Sequence, residues 1–596
     1  MTITKETYVD LQEKYDKVIK LLEEDSKLDP ESEPFLSKYS ARQILIGMRA
    51  NLENLLRTHT TEDPLHKKLT AMLGTIHLYL GMIAIETEET SNGRKHLEKC
   101  KEVIESYHVE PEFILVTLNM YNNFGILSYQ NEPEESKTYL EKAESLFAEF
   151  KRKGVSPIDI ADLFKTNIDF YNTDVAVKNF EKIHTLTLYY LAQAYGALKD
   201  ALRSAVYCHV TLKRQLEMCE YDPIDWALNA ATLSQFFMEK NCFKQARHHL
   251  AASSFILDEY KKKLDFNQTE PTEVHNAMLE TFRHRSADVA RCWSKYGLIL
   301  LSKSKDRLLN HTDDLNTHCS LSTDFSDLNI QFNGNLSQYD LKSLIFEKIP
   351  IEEYENQITD QFILTLPDAK KVFLNAQQWS DKAQEYYTLD SLASDFIDIV
   401  LDQTQLYLNL LFFEDEPENQ AKLHKRRIKL LEHVLNNVNE QYYLQYCRQV
   451  WFELARTYAD ILDIKCDKLR ESTDRPTPQS LSKINNLADK GILHYTNFIK
   501  SFEDKASKKL PDKFPDDVEK PVLQAYFHKA ALYSKYISLD KQIQLKNTEM
   551  SLENYKFISD YCEKHPKAKE LIAMEYGICK EMVTLLPIKI MKLKSA

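Results

Sequence analysis

From Asn229 to Ser253, large and small side chains alternate in an order that two packed helices require. Leu233, Ser234 and Phe237 lie in one segment; Phe243, Ala246, Leu250 and Ser253 lie in the next. The steps between them put these side chains on one face of each helix, large–small–aromatic and then aromatic–small–large–small. Each helix therefore offers a small residue where the other approaches, and a large one to fill the gap. The entry is marked too. Asp222 can cap, Pro223 suits the first helical position, where no N–H is needed, and Asp225 sets a carboxylate at the positive end of the helix dipole.

Other stretches read as variations on this pair, which is the tetratricopeptide (TPR) pattern. Leu80-Gly81 precede Gly93, Leu97 and Cys100; Phe124-Gly125 precede Leu140 and Ala143; Leu191-Ala192 and Tyr195 precede Ser204, Cys208 and Thr211. Before them, residues 1–60 read as two amphipathic helices broken near Asp29–Pro34. After them, Thr272 to Leu309 reads as one long helix containing Trp293-Ser-Lys-Tyr-Gly297, and Asn310–Tyr339 reads as a polar loop. The second half is more degenerate. Residues 372–387 and 392–413 are amphipathic; Trp451, Leu454, Ala455 and Tyr458 restore first-helix spacing; Ala530 and Tyr533, then Tyr555, Ile558 and Tyr561, suggest a late unit. A final helix over about 569–593 is expected to cap the array.

The expected organisation is a TPR-like half over 1–271, a long linker helix and polar loop over 272–345, and a TPR-like helical half over 346–596. Only 11 of 596 residues are Gly, against an average near 7%. Hairpin turns and phosphate-cradling loops consume glycine, so the scarcity favours an all-α chain. A net charge of −14 disfavours a broad nucleic-acid or anionic-lipid surface. The ten cysteines include no CxxC pair, which argues for reduced thiols. The N-terminus has no signal-peptide pattern, and apolar runs such as Leu410–Phe413 fall well short of the ~20 residues that span a bilayer. A cytoplasmic protein is expected.

No GxGxxG, GxxxxGK[ST], HExxH, GxSxG or EF-hand pattern occurs, so neither enzyme activity nor a cofactor is expected. Cys208-His209 and His248-His249 are adjacent pairs whose members diverge by about 100° on a helix, so neither makes a metal ligand set. Lys422, Lys425, Arg426 and Lys429 share a helical face that reads as solvated. Beside the large–small pairs, Tyr189, Tyr190 and Gln193 in the third unit and Ala231, Thr232 and Gln235 in the fourth fall on the concave side. Uncharged polar and aromatic residues there suit a groove for a partner helix.

Longer strings carry a resemblance. Leu188-Tyr-Tyr-Leu-Ala-Gln193, Thr211-Leu-Lys-Arg-Gln-Leu-Glu217, Trp226 through Gln235, Ala290-Arg-Cys-Trp293, His424-Lys-Arg-Arg-Ile428, Lys483-Ile-Asn-Asn-Leu487 and Asp560-Tyr-Cys-Glu-Lys-His-Pro566 resemble the kinesin-binding protein family. The likeness runs in order from Lys38-Tyr-Ser-Ala-Arg42 to the last helix and is weakest over Asn310–Tyr339. It implies a right-handed α-solenoid in two halves joined by a long helix. It also implies a non-enzymatic regulator, cytoskeleton-associated, that binds kinesin motor domains and controls their microtubule attachment. Axonal microtubule organisation, axon growth and organelle transport would follow, and other microtubule-associated proteins are further candidate partners. By matching motif, the motor contacts fall on Tyr190, Gln193, Gln215 and Thr232. A generic TPR scaffold and a motor–cargo adaptor are the alternatives.

Overall fold

The structure is a computed structural model. It describes residues 5–59, 64–165, 171–266, 273–310, 344–471, 476–504, 507 and 509–595; the polar loop expected at 310–339 falls almost wholly outside them. Among the described residues every regular element is a helix, and the fold is an all-α solenoid. The chain divides into two compact units. One holds residues up to Ile256 together with the described residues 344–351. The other holds the described residues from Leu257 to Asn310, and Glu352 onward.

In the first unit the helices are α1 (Lys5–Glu23), α2 (Leu36–Thr58), α3 (Pro64–Glu86), α4 (Thr90–Ile104), α5 (Ile114–Ser128), α6 (Pro133–Arg152), the short α7 (Ile160–Leu163), α8 (Thr173–Ala197), α9 (Ala201–Met218) and α10 (Pro223–Glu239); α11 (Phe243–Phe266) contains the boundary. Successive helices pack as pairs, α3 on α4, α5 on α6 and α8 on α9, and each pair packs on the next. The expected large–small contacts are present. A Cβ added to Gly81 would lie 2.9 Å from Leu97, and one added to Gly125 would lie 2.6 Å from Leu140. α3 departs from the sequence expectation about apolar runs. Over Leu65–Glu86 it is long and apolar enough to cross a membrane, but 78% of its most apolar window is buried. Leu69, Met72, Ile76, Leu80 and Ile83 belong to the unit's core.

Glycine is scarce because the tight connections do without it. After α3, α8, α9 and α10 the chain turns through a left-handed residue, Glu88, Lys199, Cys219 and Asn241, with φ between 55° and 64°. At each the following N–H reaches back five residues, as in Glu89 N–H to Ala84 O (2.7 Å) and Cys242 N–H to Phe237 O (2.8 Å). This is the Schellman arrangement, usually closed by glycine. A non-glycine residue there costs about 1–2 kcal/mol, which the docking of the next helix offsets.

The second unit holds α12 (Glu273–Asn310), the short α13 (Glu352–Glu355), α14 (Leu366–Gln384), α15 (Ala393–Leu411), α16 (Pro417–Asn437), α17 (Leu444–Glu471), α18 (Pro478–Lys500), α19 (Asp516–Ser534), α20 (Lys541–Lys564), the short α21 (Pro566–Leu571) and α22 (Ala573–Ser595). Here the division differs from a separate linker at 272–345, because α12 packs lengthwise on α14 and α15 within this unit. Trp293 stacks on Trp379 with ring centroids 5.6 Å apart, and Ser294 meets Ser380 at 2.6 Å. A Cβ on Gly297 would lie 2.6 Å from the Cβ of Ala376. The final helix, expected over about 569–593, is broken at Ile572, so that α22 starts at Ala573. Its outer face carries exposed Met574, Ile578, Leu585 and Ile588, while Tyr576, Cys579 and Leu586, with half-buried Met582 and Val583, turn inward.

Candidate partner-binding face

α8 begins where the Asn172 side chain accepts the Val175 N–H (3.2 Å). Its inner face, with Leu188, Leu191, Ala192 and Tyr195, is buried. Two polar links fix its register. Thr187 donates to Asn122 of α5 at 2.8 Å, and Asn122 donates to the Ile183 carbonyl at 3.2 Å. From α9, Arg214 donates to Glu181 at 2.6 Å and to Thr185 at 3.1 Å. A helix held this firmly presents its outer face without rearrangement.

That outer face is apolar and aromatic. Leu186 and Tyr189 are each 40% exposed, and Tyr190 and Gln193 are half-buried beside them. The spacing is i, i+3, i+4, i+7, one stripe along the helix. Tyr189 and Tyr190 meet edge to face, with centroids 5.2 Å apart. Burial pushes the Tyr190 phenol up, so its O–H remains a donor at neutral pH. Sequence reasoning found Tyr189, Tyr190 and Gln193 but not Leu186, which lies one turn before Tyr189 and reads as one more core leucine.

α10 adds a polar ridge. Its N-terminus has the predicted cap, Asp222 accepting the Asp225 N–H at 2.9 Å. Asp225, Asn229, Thr232 and Gln235 are exposed in one row, whereas Ala231, expected on the lining, is buried. Ala231 falls one turn before buried Ser234, whose hydroxyl donates to its carbonyl at 2.6 Å. Gln215 stands apart. It lies in the last turn of α9, where its carbonyl accepts the Glu220 N–H at 3.2 Å. Its neighbour Arg214 is tied to Thr185, which lies eight residues, or roughly 12 Å, along α8 from Gln193. The structure thus brings Tyr190 and Gln193 together, sets Thr232 on a different helix, α10, and displaces Gln215 toward the other end of α8.

The packing face of α9 also differs from expectation. Tyr207, His209 and Val210 are buried, while Ser204 and Cys208 are only half-buried. Tyr207 donates to the buried carboxylate of Glu144 (3.0 Å). His209 meets His249 of α11 at 2.9 Å, and His249 Nδ1 lies 2.8 Å from the Gln245 carbonyl. One histidine from each adjacent pair thus meets the other. Burial pushes His249 down to about 3 and His209 well below the usual range, so both are neutral. No group of three or more metal-ligating side chains occurs among the described residues. Phe346 packs on His209, and its N–H donates to His248 at 2.7 Å.

The molecule is therefore an all-α repeat solenoid with a rigid, exposed aromatic–amide face. A family profile described as "KIF-1 binding protein C terminal" matches residues 224–593. A KIF-binding protein of Gallus gallus is 36% identical, the match covering 96% of this chain and 95% of that relative. One of Drosophila melanogaster is 34% identical, covering 100% and 98%. A solved structure described as a cryo-EM map of KIFBP matches with a TM-score of 0.65 at 28% identity, over 99% of both chains. The chain belongs to the KIF-binding protein family.

Proposed function

We propose that this protein is a non-enzymatic, cytoplasmic regulator that binds kinesin motor domains and controls their attachment to microtubules. The observation that carries the reading is the stripe Leu186, Tyr189, Tyr190 and Gln193 on α8, with Leu186 and Tyr189 exposed and Tyr190 and Gln193 half-buried beside them. A stripe of aromatic anchors with amide donors on a rigid helix suits a partner helix laid across it. The names of the relatives support a kinesin as that partner. Charge supports the mode of action. A microtubule is acidic, so a motor's track-binding face is basic, and a chain with a net charge of −14 competes for it. Axonal microtubule organisation, axon growth and organelle transport are the processes such competition would serve.

The test is microtubule co-pelleting with a panel of kinesin motor domains. Added protein should hold some motors in the supernatant and remain there with them. Tyr190→Ala/Gln193→Ala should weaken motor binding roughly tenfold or more, with the far-ultraviolet circular dichroism of the chain unchanged. Full binding by the folded double variant overturns the site. Motors that pellet and carry the protein down with them point instead to an adaptor.

A further inference from the structure

We propose that the second unit carries a separate docking cleft, which takes an acidic partner segment bearing one bulky apolar side chain. The cleft lies between α16, α17 and the start of α18 and encloses about 590 Å³. Its floor is apolar, formed by Ile461, Leu469, Ile484 and Leu487. Lys425, Lys465, Lys468 and Lys483 surround it, and among the described residues no carboxylate lines it. In a chain of net charge −14, a concavity lined by four ammonium groups, with one neighbouring carboxylate, Glu418, is a local excess of positive charge.

Lys468 is held by Glu418. Among the described residues no ion pair engages Lys425, Lys465 or Lys483. Lys425 and Lys483 are available to a ligand, and Lys465 shares the field of Glu418 with Lys468. They come from three different helices and include no arginine fork. Ammonium groups spread in this way match several carboxylates along a peptide better than one compact phosphate, for which a bidentate guanidinium is the usual device. The floor is four side chains wide and the volume is that of a small-ligand site, enough for one aromatic or leucine anchor. Anchor and carboxylates together define the occupant. Hydroxyls of Thr477 and Ser480 at the rim add polar contacts to its backbone.

Sequence reading saw only part of this. Lys425 belongs to the basic run 422–429, which read as a solvated face, and Lys422, Lys425, Arg426 and Lys429 are all exposed. Lys465 and Lys483 come from other helices, so no local pattern joins them to Lys425.

The experiment uses the full chain and a fluorescein-labelled peptide, Glu-Glu-Glu-Phe-Glu-Glu-Glu, followed by fluorescence anisotropy. Binding should fall steeply with added salt. It should weaken roughly tenfold or more in Lys465→Glu/Lys483→Glu, and severalfold when the peptide's Phe is replaced by Gly. Lys425→Gln, at an exposed position on the cleft wall, should weaken it severalfold and serves if the double variant loses its helical signal. Kinesin motor binding should be unaltered in both variants, which separates this cleft from the α8 face. No binding by the native chain, equal binding by the lysine variants, or indifference to the Phe overturns the proposal. So does binding to phosphatidylserine vesicles that requires the same lysines and displaces the peptide.

Discussion

Replacing Gly297 with alanine should force α12 and α14 apart. The added methyl would stand 2.6 Å from the Cβ of Ala376, and 3.5 Å from the Val372 carbonyl oxygen. Carbon atoms are comfortable at about 3.5–4.0 Å, so the overlap is about 1 Å. Ala376 is fully buried and has no rotamer to change; relief must come from the backbones. The Ser294–Ser380 bond at 2.6 Å and the Trp293–Trp379 stack lie about one turn away and would open with them. Overpacking costs about 1–3 kcal/mol and a strained buried hydrogen bond up to about 1 more. Better helix propensity returns about 1 kcal/mol. The net expectation is a loss of up to about 3 kcal/mol. Urea unfolding followed by circular dichroism and tryptophan fluorescence measures it, and Ala376→Gly should restore most of the loss in the double variant. Gly47→Ala is the control: it is exposed on α2 with no atom within 4 Å of an added Cβ, and should stabilise by up to about 1 kcal/mol. If Gly297→Ala stabilises as Gly47→Ala does, the close approach of α12 and α14 is refuted.

Two further outcomes follow from features of the first unit. Lys199→Gly, at the left-handed turn between α8 and α9, should stabilise by about 0.5–1 kcal/mol, since relief of strain exceeds the added freedom of the unfolded chain; a raised urea midpoint at unchanged slope is the readout. Acid should destabilise the unit through His209 and His249. Both are held below their unfolded value, His249 at about 3, so between about pH 6.5 and 3 the unfolded chain binds more protons and stability falls as pH falls. By pH 5 His249 should have cost roughly 2 kcal/mol, and a folded His209→Gln variant should show a shallower decline than the native chain.

Local chemistry was legible in the sequence where neighbours in the chain decide the outcome. Asp222, Pro223 and Asp225 mark the start of α10 because a cap needs only residues within one turn. Gly81 opposite Leu97 was legible because helix pairs repeat a fixed spacing. Glu88, Lys199 and Cys219 gave no signal as helix ends, since packing of the following helix overrides the ordinary glycine preference. Leu186 was hidden because exposure depends on which elements cover a helix, not on its own periodicity. The meeting of His209 with His249, and of Lys425 with Lys465 and Lys483, depends on how separate helices dock. The outward-facing apolar row of α22 gave no signal for the same reason.

Stacking by neighbours has a mechanical consequence. In the second unit the buried side chains fall into separate clusters, one around Trp451, Tyr495 and Tyr555, one around Ile397, Val434 and Val450, and one around Ala290 and Tyr387. Each cluster joins neighbouring helices rather than the whole unit. Under tension such an array yields pair by pair, each pair of about 40 residues releasing roughly 14 nm of contour length. A protein of this build, gripped at one end by a force-generating partner, would act as a compliant spring with stepwise extension rather than as a rigid strut.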